Sequence, residues 1–266
     1  MRLIMIAGWL LAGANLAQGA AVATGIEPAA SAPQPSASAS PHPGTGADTI
    51  YATDPEDAAN QVAFQTAISM IRQGHPELAT AMLDKLIPRL EKRHAKPGRQ
   101  LYCAYSQTEA LSYATQAAVA KQEAQVLHAN DLCDAYFFRG YAYVDLGKRD
   151  AAEADLKRAI EMAPNNPHYL SEMGEFESRR HDWTAAMGYY ERARDAATPY
   201  APDDAKVSEL TRALRGIGYV DVELDRLDDA EAMYRRCLDL DANDQKAQRE
   251  LEYVLNLRAQ RVGPGQ

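Results

Sequence analysis

The stretch Ala135–Ala197, AYFFRGYAYVDLGKRDAAEADLKRAIEMAPNNPHYLSEMGEFESRRHDWTAAMGYYERARDAA, writes one set of small and large residues twice. Gly140 recurs as Gly174, Ala152 as Ala186 and Ala159 as Ala193, each pair 34 residues apart. Small residues at fixed points of paired helices let a second backbone pass close by, and the large residues between them fill the space that remains. Within the first copy, Tyr136, Gly140, Tyr143, Leu146 and Gly147 lead into Ala152, Leu156, Ala159 and Pro164, which reads as helix, tight turn, helix, stop. Gly147 is placed to end the first helix. Ala152, Leu156, Ala159 and Ile160 share one face of the second, and Pro164 closes it.

The period of 34, the distance of 12 from Gly140 to Ala152 and the closing proline resemble the tetratricopeptide repeat. A second copy runs through Leu170, Met173, Gly174, Ala186, Tyr190 and Ala193. A third follows an insertion: Leu214, Ile217, Gly218, Ala230, Tyr234 and Cys237. The departures are specific. Arg139 stands where the family usually has leucine, Thr198 and Ala242 replace the closing proline, and Cys237 replaces a small alanine. Gly218 lies 44 residues after Gly174, and the surplus falls in Ala197–Ala205, expected as a loop or a lengthened helix end. The resemblance is strong over 133–198, moderate over 211–242 and weak before Asp131. It implies an all-α fold: helix-turn-helix repeats stacked as a right-handed α-solenoid with a C-terminal capping helix, and a concave groove lined by the first helix of each repeat.

Carried over residue by residue, the family's groove positions fall on Asp134, Phe137, Tyr141, Val144 and Asp145 in the first copy. In the second they are His168, Ser171, Glu175, Ser178 and Arg179, and in the third Arg212, Arg215, Tyr219, Val222 and Glu223. The expected partner contacts among them are Phe137, Tyr141, Glu175, Arg179, Arg212, Arg215 and Tyr219. Two aromatics with two arginines from the third copy suit an extended peptide or a helix with both apolar and acidic features. Phe137 and Tyr141 have a second reading of equal standing, as packing against the preceding unit. The Lys/Asn set with which some relatives clamp a carboxylate is missing.

The 266 residues are 46% hydrophobic and 24% charged, enough to bury a sizeable core, and carry a net charge of −9 with no extended basic block. Nucleic acid is not an expected partner. Residues 1–23 read as a secretory signal peptide: Arg2, an apolar run Leu3–Leu11, then small residues around Ala17-Gln18-Gly19 and Ala21-Val22-Ala23. The run is shorter than the roughly 18 to 20 residues of a membrane span, so no span is expected after cleavage, and the expected location is the bacterial periplasm or the medium. Residues 24–53, rich in Ala, Pro and Ser, read as a disordered linker.

Residues 54–132 read as degenerate N-terminal helical repeats. The first pair runs from Pro55 to about Gln73 and from Glu77 to about His94, with Pro88 expected to kink or shorten the second helix. The next pair is expected over Arg99–Tyr113 and Thr115–Leu127, in phase with the later repeats but without a turn glycine. Two clear repeats occupy 133–198, the insertion and third repeat 199–242, and the capping helix and tail 243–266, where Ala247, Leu251, Val254 and Leu255 face inward. Cys103 and Cys133 either bridge neighbouring helices or remain buried thiols, and Cys237 belongs to the core. The six histidines form no H-E-x-x-H or Cys/His metal set, and no nucleophile elbow or phosphate loop occurs. Glu172 and Glu175 read as a solvated helix face rather than as paired catalytic carboxylates. No enzyme activity and no cofactor are expected. The function these features support is an exported protein–protein interaction module, with a self-associating structural subunit as the alternative.

Overall fold

The computed structural model describes residues 54–128 and 131–262. The expected signal peptide and the linker up to Thr53 lie outside the described residues. Twelve elements follow in order: α1 (Pro55–Arg72), α2 (Pro76–His94), β1 (Arg99–Ala104), α3 (Gln107–Val119), β2 (Glu123–His128), α4 (Asp131–Asp145), α5 (Arg149–Met162), α6 (Pro167–Arg179), α7 (Trp183–Tyr200), α8 (Lys206–Glu223), α9 (Leu227–Leu240) and α10 (Gln245–Val262).

From α4 onward the helices pair as the 34-residue period predicts. Leu146, Gly147 and Lys148 close α4 with backbone bonds to Ala142, Val144 and Tyr143, and Gly147 takes φ +69°, the left-handed conformation glycine adopts without strain. The pairing is set by one complementary contact per repeat. The glycine of each first helix receives the large residue 16 positions later: Gly140 faces Leu156, Gly174 faces the Tyr190 ring and Gly218 faces the Tyr234 ring. Ala152, Ala159, Ala186, Ala193, Ala230 and Cys237 are fully buried along the second helices. The thiol of Cys237 is free and directed at the Thr211 carbonyl, 3.5 Å away. The ten surplus residues before the third repeat extend α7 to Tyr200 and leave a short turn to α8. Helix α2 continues through Pro88 to His94. Its core side meets α4 through Leu83, Leu86 and Leu90, while Phe64 of α1 contacts Phe138 of α4 edge-on at 6.0 Å.

The helices expected over 99–127 are replaced by a β1–α3–β2 unit. The two strands pair in parallel, Arg99 opposite Glu123 through Ala104 opposite His128. Helix α3 begins only at Gln107, because Ser106 accepts the Glu109 N–H at 3.1 Å and Glu109 accepts the Tyr105 N–H at 2.7 Å. It stops at Val119 because Lys121 adopts φ +55°. Lys121 N–H then bonds Ala118 and Gln122 N–H bonds Ala117, doing with a lysine what the expected turn glycine would have done. Tyr102 stacks on Tyr113 of α3 at 4.8 Å. Cys103 is disulfide-bonded to Cys133 near the start of α4, with Cα atoms 6.4 Å apart, so the strand unit is bolted to the first clear repeat. Thus helical repeats dominate the chain, with one two-stranded insertion among them.

Helix α10 packs on α9 through Ala247 and Val254, both fully buried, and Leu251 lies partly buried beside them. Leu255, expected inward, is 40% exposed, because Val254 occupies the position that points at Tyr234 and Leu227.

Candidate functional site

The first helices of the repeats, α4, α6 and α8, together with α10, contribute one stripe each to a shared face. On α6, Asn166 caps the helix by accepting the N–H groups of His168 and Tyr169, and Pro167 occupies the first turn. That start sets His168, Glu172, Glu175 and Arg179 on one side at spacings of four, three and four. Glu209, Arg212, Tyr219 and Glu223 form the matching stripe of α8, and Asp134, Tyr141 and Asp145 that of α4.

The stripes are tied to each other. His168 Nδ1 lies 3.2 Å from Glu209, and Arg212 donates to Glu172 at 3.0 Å and lies 3.4 Å from Glu209. Arg215 donates to Asp244, whose other carboxylate oxygen caps α10 by accepting the Lys246 and Ala247 N–H groups. Arg179 donates to Glu175 one turn away at 2.6 Å. Burial pushes Glu209 up, but His168, Arg212 and Arg215 outweigh it and hold the carboxyl below the ordinary glutamate range. For Glu172, burial prevails and the carboxyl sits above that range despite His168 and Arg212.

This geometry alters the expected contacts. Phe137 is 3% exposed, stacked on Tyr169 at 4.5 Å and against Phe138 at 5.2 Å, so it belongs to the α4–α6 core rather than to an open surface. Tyr141, Glu175 and Tyr219 are half-buried and Arg179 is exposed, which leaves them at the surface. Arg212 and Arg215 reach the same face but are engaged by carboxylates of this chain. Glu172 is neither solvated, as expected, nor half of a carboxylate pair with Glu175: each has its own arginine. Arg139, the residue in the family's leucine position, donates twice to the buried Asp155 of α5 and once to Asp84 of α2.

A buried polar cluster below the face is one that sequence reasoning missed. Asp134 accepts from Tyr105 at 2.8 Å and from Tyr169, and the two hydroxyls are 2.6 Å apart. Tyr113 donates to Glu109 at 2.6 Å and accepts the Asn165 N–H at 3.0 Å. Burial pushes the carboxyls of Asp134 and Glu109 up. The cluster spends its donors and acceptors on one another, joining the strand unit to α4 and α6. Its one sequence signal is the spacing of Ser106 and Glu109, a helix-start pattern. Among the described residues no group of three or more His, Cys, Asp or Glu is placed to hold a metal ion.

The fold so built is a stack of helical hairpins whose first helices share a face. The tetratricopeptide-repeat family model matches residues 134–166 and 212–244, the first and third copies read from the sequence. A structure of PilF from Pseudomonas aeruginosa is similar at 15% identity over 79% of this chain and 73% of that one, with a TM-score of 0.54. MamA RS-1 is similar at 14% identity over 75% and 84%, TM-score 0.48. The first TPR of Spaghetti (RPAP3), solved bound to an HSP90 peptide, is similar at 21% identity over 48% and 95%, TM-score 0.41. No curated protein sequence matches significantly. Residues 134–166 and 212–244 are thus similar to tetratricopeptide repeats, and the fold supports a protein–protein interaction module.

Proposed function

We propose that this chain is an exported interaction module that holds a peptide or helical segment of an envelope or secreted protein in the groove formed by α4, α6, α8 and α10. The observation that carries the reading is the placement of Tyr141 and Tyr219, one on each side of Glu175 and Arg179, as half-buried aromatics on the shared face. Such aromatics bring large contact area at small entropic cost. Catalysis forms no part of the proposal, since the family typically serves as non-enzymatic scaffolds. The Cys103–Cys133 disulfide supports export, because such bonds persist in oxidising compartments. Among the described residues no helix is long and apolar enough to cross a membrane.

A photo-crosslinking amino acid placed at Tyr141 or Tyr219 in expressing cells tests the groove, with the exposed Leu111 of α3 as a control position. Defined adducts from both tyrosine positions and none from Leu111 are expected; indiscriminate adducts, or none from the tyrosine positions, would remove the groove assignment. Fractionation on non-reducing gels tests export: the expected chain is oxidised and extracytoplasmic, and a reduced cytoplasmic chain would refute that part. The exposed Leu255 and Tyr253 on α10 favour self-association as a second reading. Light scattering after size exclusion decides it, through an oligomer that is lost when residues 244–266 are deleted.

A further inference from the structure

The arginines of the shared face are engaged within the chain: Arg212 by Glu172 and Glu209, Arg215 by Asp244 and Arg179 by Glu175. Three carboxylates are left over. Asp145 at the end of α4, Glu223 at the end of α8 and Glu250 on α10 make no hydrogen bond or close ion pair with a cation among the described residues, although Arg179 acts on Asp145 and Arg249 on Glu250 from farther away. They surround the two half-buried tyrosines. Asp145 lies one turn from Tyr141 and acts on it together with Glu172 and Glu175, against Arg179, and Tyr219 is acted on by Glu223, Glu250 and Glu175. Glu175 of α6 therefore electrically joins the α4 side of the face to the α8–α10 side.

Resting on the groove reading above, we propose that the segment held on this face is basic. Its lysines or arginines would meet Asp145, Glu223 and Glu250, and its cationic or apolar side chains would lie on Tyr141 and Tyr219. A surface with both unmatched carboxylates and aromatic rings takes cations by ion pairing and by attraction to the ring face together. An acidic segment would find Arg179, Arg212 and Arg215 already engaged, with Lys246 beside Glu175 and Asp244 and Arg249 beside Glu250, and would meet three like charges. This reverses the acidic character expected of the partner from Arg212 and Arg215 alone. Burial pushes Asp145 and Glu250 upward even though Arg179 acts on the first and Arg249 on the second.

The test is selection from a randomised 12-residue phage-displayed peptide library on the full oxidised chain, followed by fluorescence polarisation of the enriched peptides. The expected outcome is enrichment in Lys and Arg together with a steep loss of binding in salt. Affinity should fall roughly tenfold in the combined Asp145→Asn, Glu223→Gln, Glu250→Gln variant. Enriched peptides that are acidic or neutral, yet lose binding in the Tyr141→Ala, Tyr219→Ala variant, overturn the charge assignment and leave the groove. Peptides that bind wild type and both variants alike, or no enrichment at all, overturn both. Circular dichroism of each variant shows that the helices remain.

Discussion

The Tyr190 ring of α7 lies between two glycines, Gly174 of α6 and Gly216 of α8. A Cβ added at Gly174 would stand 2.8 Å from the ring, and one added at Gly216 would be closer still. Tyr190 is 6% exposed, so retreat from one glycine drives the ring into the other. For Gly216→Ala two effects oppose. Alanine in a helix interior is favoured over glycine by about 1 kcal/mol, while overpacking a confined site costs about 1–3 kcal/mol, here near the upper end. The net expectation is a loss of about 2 kcal/mol. In a Tyr190→Ala background the obstruction is gone, and the same change should stabilise by about 1 kcal/mol. The coupling of about 3 kcal/mol is read from urea midpoints of the four proteins at 25 °C, followed by far-ultraviolet circular dichroism. If Gly216→Ala raises the midpoint by itself, or costs the same in both backgrounds, the wedge is not what sets the α6–α7–α8 spacing.

Three further outcomes follow from the described contacts. Replacing both Cys103 and Cys133 by serine should lower stability by about 3–4 kcal/mol for a closed loop of about 30 residues, with hydrogen exchange rising first in β1, α3 and β2. Burial raises the Asp134 carboxyl above the ordinary 3.8, so the folded chain holds this proton to higher pH than the unfolded chain does. Wild type should therefore lose stability relative to Asp134→Asn as pH rises from about 4 through the folded value, and a difference flat in pH would refute the assignment. Burial also pushes the Cys237 thiol up to about 12, so the oxidised native chain should react with no thiol reagent at pH 8, and with one equivalent once unfolded.

The repeats were legible because their information is local and periodic: a glycine, then a large residue 16 positions on, with alanines in register. The strand unit was not. Its residues carry helix-compatible composition and fall in phase with the repeats, and what decides the matter is a parallel pairing across 24 residues and a cross-link across 30. Tertiary pairing of that kind overrides local preference. The shared face was half legible. Spacing placed Tyr141, Glu175, Arg179 and Tyr219 at the surface, but not the depth of Phe137, which depends on Tyr169 in the next repeat. Nor did it show the engagement of Arg212 and Arg215, whose acidic partners lie 40 and 29 residues away in sequence.

The link from Cys103 to Cys133 also reroutes any mechanical load. Tension applied at the two ends of the oxidised chain passes from β1 straight into α4 through the sulfur atoms, and α3 with β2 hangs aside as an unstressed ring. Once reduced, the same chain must carry that force through the ring, and its contour lengthens by the residues between the two cysteines.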